Sequence, residues 1–221
     1  GTILTDPVAN GWYTGLVTVN FSAKDTLSGV VNVTPDQTIS VNGQSQVVGS
    51  AYDLAGNLGT DIVNISIDNK PPITNILLLG NIGGYEWFTS DVQVNFTATD
   101  GESGVKKTEY SLDGGVWKPA ASFMINKEGV TTVYYRSTDV VGNAELVNTT
   151  MIKVDKTAPI ITGAPDRQPD LNGWYTGPVT ISFSATDIYS GVDWASVSLP
   201  TTLPLKGIPL DGPYQSVTGT A

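Results

Sequence analysis

The sequence predicts an all-β fold made of tandem antiparallel β-sandwich domains. The first reason is that the hexapeptide NGWYTG occurs twice, at 10–15 and at 172–177. The second is that apolar and polar residues alternate with a period of two in the segments that follow it. The third is that 24 glycines and 13 prolines interrupt the chain at strand-length intervals. No stretch of ten or more residues keeps a helical period.

The duplicated hexapeptide belongs to a longer repeat. The chain reads NGWYTGLVTVNFSAKDTLSGV at 10–30 and NGWYTGPVTISFSATDIYSGV at 172–192. Between them, GGYEWFTSDVQVNFTATDGESGV at 83–105 has the same pattern with substitutions. Trp87 and Trp174 are 87 residues apart, which is the size of a small β-domain. Self-similarity at a fixed period indicates a structural unit copied along the chain.

Two shorter motifs also repeat. AYDLAGN at 51–57 matches STDVVGN at 137–143, and IDNKPPIT at 67–74 matches VDKTAPII at 154–161. The second pair marks linkers between units, and the prolines in them fix φ and stiffen the connection. The predicted domains are 1–69, which lacks its first segment, 70–156, and 157–221, which is truncated and lacks its last strand.

Each copy of the tryptophan motif leads into a predicted strand. In VTVNFSA, the apolar side chains of Val17, Val19 and Phe21 point to one face and the polar ones to the other. The alternation recurs at 92–98 and at 179–185. A period of two predicts a strand in an antiparallel sheet with one face buried.

The acidic residues of the repeat are predicted to form turns. Asp-x-x-Ser-Gly begins at Asp25, Asp100 and Asp187, and Asp-x-x-Gly-Asn begins at Asp53 and Asp139. In such motifs the aspartate accepts backbone N–H bonds, and the glycine or asparagine takes the left-handed conformation.

Calcium binding near the linkers is the alternative role for the aspartates, because oxygen-rich clusters suit this cation. The candidates are Asp25, Asp53, Asp68, Asp100, Asp139, Asp155 and Asp187. The sequence contains no linear Asp-x-Asp-x-Asp loop, and a single aspartate that begins a turn is the commoner arrangement. We therefore predict the turn role and assign no metal or cofactor.

The repeated aromatic pairs also have two interpretations. Trp12, Trp87 and Trp174, with Tyr13, Phe88 and Tyr175, either stack on sugars or close the end of a sandwich core. Their retention at one internal position in all three copies favours packing, because buried aromatic side chains dominate core energetics.

Composition excludes several classes of function. The net charge is −10, with 11 Lys and Arg against 21 Asp and Glu. The Lys and Arg residues form no cluster, which argues against nucleic-acid binding. The absence of Cys and His removes thiol and imidazole nucleophiles and the usual zinc ligands. No apolar run of 18 or more residues is present, so no membrane span is predicted.

Paired carboxylates such as Asp100 and Glu102 are the remaining candidates for catalysis, since two such groups cleave glycosides. The acidic residues occupy repeated turn positions, however, whereas an enzyme concentrates its chemistry in one cleft. We expect that the chain is not an enzyme and assign no catalytic residue.

Five Asn-x-Ser/Thr sequons are candidates for N-glycosylation. They begin at Asn20, Asn32, Asn64, Asn95 and Asn148. The alternation places Asn20, Asn64 and Asn95 on the polar faces of their strands, where there is room for a glycan.

These motifs resemble the Ig-like repeats of large archaeal and bacterial cell-surface proteins, including surface-layer-related proteins, whose units read like NGWYTGPVTVTFSATD, then SGV, D-x-AGN and D-x-TAP. In the second repeat, TEYSLDGGVWKP and VYYRSTDVVGN are also similar to the repeat family named after a leptospiral outer-membrane protein. The resemblance covers nearly the whole chain. The middle repeat departs from it at YEWFTS, 85–90.

The resemblance implies Ig-like sandwiches in an extracellular protein on a prokaryotic surface, acting as a spacer, coat, stalk or filament segment. Copies of the chain or neighbouring surface proteins, and glycans, are the implied partners. The alternative is an adhesin or a carbohydrate-binding accessory module of a secreted enzyme. Such modules serve many roles, so the motifs specify the fold better than the function.

The end of the chain leaves two alternatives open. QSVTGTA at 215–221 aligns with QSQVVGSA at 44–51, so the third repeat stops before the counterpart of its last strand. Either the sequence is a window on a longer repeat array, or the open edge accepts a strand from another molecule and builds a filament.

Overall fold

The computed structural model of the chain describes residues 1–193 and the backbone of residues 201–203. Within these residues the secondary structure consists of β-strands and one 3-10 turn, Gly84–Glu86. The all-β prediction is therefore confirmed. The described residues contain no helix that is long and apolar enough to cross a membrane.

The strands of the first repeat are β1 Thr2–Ile3, β2 Trp12–Tyr13, β3 Val17–Asn20, β4 Val30–Val33, β5 Gln37–Ile39, β6 Gly43–Asp53 and β7 Leu58–Ile67. Those of the second are β8 Ile73–Leu79, β9 Trp87–Phe88, β10 Val92–Thr99, β11 Val105–Ser111, β12 Lys118–Pro119, β13 Ser122–Ile125, β14 Gly129–Asp139 and β15 Asn148–Val154. The described strands of the third are β16 Ile160–Pro165, β17 Val179–Thr186 and β18 Thr201–Leu203.

The first repeat forms two sheets. One has the order β1-β3-β5 and the other β2-β7-β6-β4. The short aromatic strand β2 pairs in parallel with β7, and the other pairings are antiparallel. This arrangement places β2 beside β7, the last strand of the repeat.

Both sheets contribute to one hydrophobic core. Val17 and Val19 from β3 are 0% exposed, and from the other sheet Ile65 and Ile67 of β7 are 1% and 0% exposed. Burying each such side chain stabilises the fold by about 1.5–3 kcal/mol. Two sheets around one core make an Ig-like antiparallel β-sandwich, as predicted.

The second repeat has the same construction. Its sheets have the orders β13-β10-β8 and β12-β11-β14-β15-β9. Aromatic rings fill the space between strands: the centroid of Phe96 lies 5.3 Å from Tyr135 and 6.0 Å from Phe123. The Phe123 ring stacks on Tyr110 at 3.9 Å.

The third repeat is described as one sheet, β16-β17-β18. Val179 and Ala185 of β17 are 8% and 5% exposed, whereas Ile181 and Phe183 are half-buried. The predicted alternation is therefore present in β17 and weaker than in β3 and β10. The segment 215–221, on which the strand-donation hypothesis depends, lies outside the described residues.

The chain divides into two compact units. One consists of 1–79, 93–124 and 131–151, and the other of 80–92, 125–130 and the residues from Ile152 onward. The domain limits inferred from the repeats, 1–69, 70–156 and 157–221, stay a prediction.

Candidate functional site

The repeated motifs meet at two linkers, which we call the first linker (68–72) and the second linker (155–159). Each linker follows the last strand of one repeat and leads into the next. The linkers are contacted by the Ser-Gly turns 100–104 and 187–191 and by the Gly-Asn turn 139–143. The first repeat has its own Ser-Gly turn, 25–29, and Gly-Asn turn, 53–57. The first linker lies wholly in one compact unit and the second wholly in the other.

Each linker begins against the aromatic strand of the preceding repeat. The parallel pairing of β2 with β7 ends at Tyr13, whose carbonyl accepts the Asp68 N–H at 2.9 Å. In the next repeat β9 pairs with β15, and the Phe88 carbonyl accepts the Asp155 N–H at 2.8 Å. The first two copies of the tryptophan motif thus supply the strands that fix the positions of the linker aspartates.

The linker aspartates also bond to the following repeat. Asp68 Oδ1 accepts the Lys70 N–H at 3.1 Å, and Oδ2 accepts the Ser103 N–H at 3.1 Å. Asp155 repeats the pattern, with Thr157 N–H at 3.0 Å and Ser190 N–H at 2.9 Å. One carboxylate therefore shapes its own linker and holds the next Ser-Gly turn. We call this arrangement the carboxylate clamp.

Both clamp carboxylates are buried and stay ionised. Asp68 is 0% exposed and Asp155 is 6% exposed. Burial acts to raise the pKa of Asp68, but hydrogen bonds from Ser103 and Lys70 outweigh it and lower the pKa below its ordinary value. The same balance of burial against bonds from Ser190 and Thr157 lowers the pKa of Asp155. The clamp is thus a charged acceptor between backbone donors.

The Ser-Gly turns present the donor that the clamp uses. Asp100 Oδ1 accepts the N–H groups of Glu102 at 3.1 Å and of Gly104 at 2.7 Å, with Gly104 at φ 88°. This loop orients the intervening Ser103 N–H toward the linker. The turn prediction is confirmed here, and Asp187 and Asp25 form the same turns.

A Gly-Asn turn holds the first linker from its other side. Asp139 Oδ1 accepts the N–H groups of Gly142 at 2.6 Å and Asn143 at 2.8 Å. The Asn143 side-chain amide donates to the carbonyls of Asp68, at 3.1 Å, and Lys70, at 3.4 Å. The Asn that ends this motif is therefore a contact to the linker as well as a turn residue.

Charged side chains surround each linker. At the first, Lys70 Nζ pairs with Glu102 Oε1 at 3.2 Å, and the Asn42 amide donates to the same oxygen. At the second, Lys156 Nζ pairs with Asp91 Oδ1 at 2.7 Å and its N–H donates to Glu128 Oε1 at 2.6 Å. These exposed pairs differ between the linkers, whereas the clamp does not.

The first linker brings three carboxylates together. Asp68, Asp100 and Glu102 each offer an oxygen within 4.8 Å of the others. All three already accept hydrogen bonds from backbone or side-chain donors, and Tyr189 replaces Glu102 at the second linker. The clamp and the turn thus account for the positions of these three carboxylates. Calcium binding stays the untested alternative, and the second linker does not repeat its three carboxylates.

The aromatic pairs divide into buried and exposed members. Tyr13 and Phe88 are 7% and 9% exposed, as the packing interpretation predicts. Trp12 and Trp87 are half-buried, whereas Trp174 is 54% exposed. Among the described residues, Trp174 has no counterpart of the β7 or β15 strand beside it; its bridge is to Leu171.

The five sequon asparagines lie on or at the ends of strands. Asn32 and Asn64 are exposed, and Asn20, Asn95 and Asn148 are half-buried. Asn20 donates to Asp36 Oδ1 at 2.8 Å. The two exposed asparagines offer the most room to a glycan, and glycosylation stays a prediction.

The repeat pattern gives no signal for Glu145, whose carboxylate joins β8 to β14 in the second repeat. The carboxylate of Glu145 accepts the N–H groups of Thr74 and Ser137, both at 2.7 Å. The Thr74 and Ser137 hydroxyls lie 2.6 Å apart. The first repeat has Gly59 at the position of Glu145, so sequence comparison between repeats gives no reason to select it.

No family model matches the chain, and no curated protein matches it. Similar solved structures include the PKD1 domain of Vibrio anguillarum Epp, 18% identical over 40% of this chain and 100% of that chain, with a TM-score of 0.31. The fibronectin(III)-like modules of Clostridium thermocellum CbhA are 13% identical over 69% of this chain and 94% of that chain, with a TM-score of 0.31.

A third similar structure is a tetra-tandem repeat in the extending region of a large adhesion protein. It is 14% identical over 91% of this chain and 64% of that chain, with a TM-score of 0.28. Because all three TM-scores are low, the Ig-like assignment rests on the sheets and cores described above.

Proposed function

We propose that the chain is a structural segment of an extracellular protein, in which Ig-like repeats act as a spacer and each linker couples one repeat to the next. The observation that carries the proposal is the carboxylate clamp, which occurs at both linkers with backbone donors at equivalent positions. A feature copied with the repeat serves the connection between repeats rather than one reaction centre.

The clamp supports a spacer because it limits the freedom of the linker. Asp68 is bonded to the preceding repeat through its N–H and to the following repeat through its carboxylate. Pro72 in the same linker is fully buried. A charge-assisted hydrogen bond and a fixed φ both reduce the number of linker conformations.

The finer proposal is a surface-layer, stalk or filament segment on a prokaryotic cell, with copies of itself or neighbouring surface proteins as partners. The composition supports an exterior location, since a net charge of −10 keeps a polar surface soluble. An archaeal origin and glycosylation belong to the same proposal. We assign it no enzymatic step.

Location is tested by brief protease treatment of intact source cells and identification of the released peptides. Release of peptides from 1–221 by intact cells supports the proposal. Release only after lysis contradicts it.

Coupling is tested by small-angle X-ray scattering on the chain and on its Asp68→Ala variant. The variant is expected to sample a broader distribution of dimensions, with Asp36→Ala, an exposed aspartate away from the linkers, as the control. Equal distributions for Asp68→Ala and the chain contradict a coupling role.

A carbohydrate-binding module is the second candidate, favoured by the 54% exposure of Trp174. An exposed tryptophan face stacks on sugar rings. Saturable binding to a glycan array that is lost in Trp174→Ala supports this function, with the half-buried Trp12→Ala as a comparison.

A further inference from the structure

In the second and third repeats, a Ser-Gly turn binds the aspartate of the linker before it. We propose that the first repeat carries an equivalent docking surface, which binds an Asp-x-x-x-Pro segment joined to its amino-terminal side. The surface consists of the Ser-Gly turn 25–29 and the Gly-Asn turn 53–57. The proposal deepens the coupling part of the proposed function, on which it rests, by naming the partner that this surface recognises.

The Ser-Gly turn of the first repeat has the geometry of the two clamped turns. Asp25 Oδ1 accepts the N–H groups of Leu27 and Gly29, both at 2.8 Å. Gly29 has φ 82°, against 88° for Gly104 and 78° for Gly191. The Ser28 amide thus occupies the place from which Ser103 and Ser190 donate to a linker carboxylate. The hydrogen bonds of Ser28 itself are with Asp25 and Asp53 of its own repeat.

The Gly-Asn turn lies beside it in the same way. The Leu54 N–H donates to the Gly29 carbonyl at 3.1 Å, as the Val140 N–H donates to the Gly104 carbonyl at 3.0 Å. Asn57 bonds to Asp53, with N and Nδ2 both at 2.8 Å. Asn143 makes the same bonds to its own aspartate and in addition donates to two linker carbonyls.

This surface is more exposed to solvent than its counterpart in the second repeat. Asp139 is 0% exposed and Val141 is 8% exposed where the first linker lies across the turn. The equivalent Asp53 is half-buried, and Ala55 and Asn57 are exposed. Leu54 is 73% exposed. The first repeat therefore exposes to solvent a surface whose counterpart in the second repeat is covered by a linker.

The chemistry of the partner follows from the two linkers that are described. The donors are N–H groups, so the partner supplies an acceptor, and in both described linkers that acceptor is an aspartate carboxylate. In both linkers the aspartate precedes a proline by four residues and the next tryptophan by 19. Gly1 aligns with Gly163, so eight residues placed before Gly1 bring an aspartate to the same register.

The test adds the eight residues 155–162, DKTAPIIT, to the amino end of the full chain. One matched control carries AKTAPIIT instead, and another inserts Gly-Ser between DKTAPIIT and Gly1 to shift the register. The readout is the exchange rate of the Ser28 amide by NMR, with the Ser103 amide in the same spectra reporting that the fold is intact. All three chains lose the ion pair between the Gly1 amino group and Asp61 equally.

We expect Ser28 exchange to slow by about tenfold or more with DKTAPIIT relative to both controls, because its amide gains a charge-assisted bond. In the chain with DKTAPIIT, Asn57→Ala is expected to remove part of this protection. Equal Ser28 rates in the three chains overturn the proposal.

The result is separable from the tests of the proposed function. Equal Ser28 rates overturn this docking surface and leave the protease result on intact cells and the scattering result on Asp68→Ala unchanged. Detection of the protein only inside cells overturns the extracellular assignment and leaves the Ser28 protection in place.

Discussion

At the scale of single residues, the linker aspartate is suited to its position by the chemistry of the carboxylate. An ionised carboxylate only accepts hydrogen bonds, and its two oxygens can face different donors. Asp68 and Asp155 use one oxygen for the linker and the other for the next repeat. Serine or asparagine in that place has only one side-chain oxygen, and asparagine would bring its NH₂ group against one of the two backbone donors.

Removing the clamp carboxylate is expected to destabilise the chain. Asp68→Ala removes the charged acceptor of the Ser103 and Lys70 amides, so we expect a loss of about 1–3 kcal/mol in the free energy of unfolding. Urea denaturation followed by tryptophan fluorescence measures it. Asp36→Ala is expected to change the value by less than about 0.5 kcal/mol, and an equally small effect of Asp68→Ala would contradict the clamp.

The clamp also predicts a direction for acid sensitivity. The pKa values of Asp68 and Asp155 are lowered on folding. Their contribution to stability is therefore complete above the unfolded pKa of about 4 and is lost as the pH falls through the lower folded values. Thermal unfolding between about pH 5 and pH 2 is expected to show a shallower acid loss in Asp68→Asn with Asp155→Asn. A variant slope as steep as that of the wild type would speak against this origin.

At the scale of elements, the strands and turns could be predicted because their signals are local. The period-two pattern of Val17 and Val19 needs knowledge of only a few neighbours. The clamp joins residues 35 positions apart, Asp68 with Ser103 and Asp155 with Ser190. The equal spacing was present in the sequence, but an aspartate four residues before a proline is explained equally well by a local turn. The exposure of Trp174 depends on which strand lies beside it, which the motif does not encode.

Two glycines of one Ser-Gly turn, Gly101 and Gly104, test whether the left-handed conformation stabilises the turn. An added Cβ meets nothing within 4 Å at either Gly104 or Gly101, but Gly104 has φ +88°. Gly104→Ala is therefore expected to cost about 1 kcal/mol through backbone strain alone, and Gly101→Ala close to nothing. Calorimetric unfolding of both variants compares them, and equal values would show that the left-handed turn is not required.

At the scale of the whole molecule, stability is expected to be the sum of contributions from each repeat and from the contacts between neighbouring repeats. Each clamp uses residues from its own linker and the repeats on either side of it, and the two linker aspartates are 87 residues apart. The chain holds no cysteine, so packing and hydrogen bonds maintain each repeat without cross-links.

Independence of the two clamps predicts additive effects. The losses in unfolding free energy for Asp68→Ala and Asp155→Ala are expected to sum, within about 0.5 kcal/mol, to that of the double variant. Native-state hydrogen exchange measures each repeat separately, which avoids the assumption of a single two-state transition. A double variant that departs from the sum by more than about 1 kcal/mol would mean that the linkers are coupled.

The most direct test of a copied clamp is the amide exchange of Ser103 and Ser190 in three chains, the wild type, Asp68→Asn and Asp155→Asn. We predict that Asp68→Asn speeds exchange at Ser103 and not at Ser190, and that Asp155→Asn does the reverse. Unchanged exchange at Ser103 in Asp68→Asn and at Ser190 in Asp155→Asn would contradict the account.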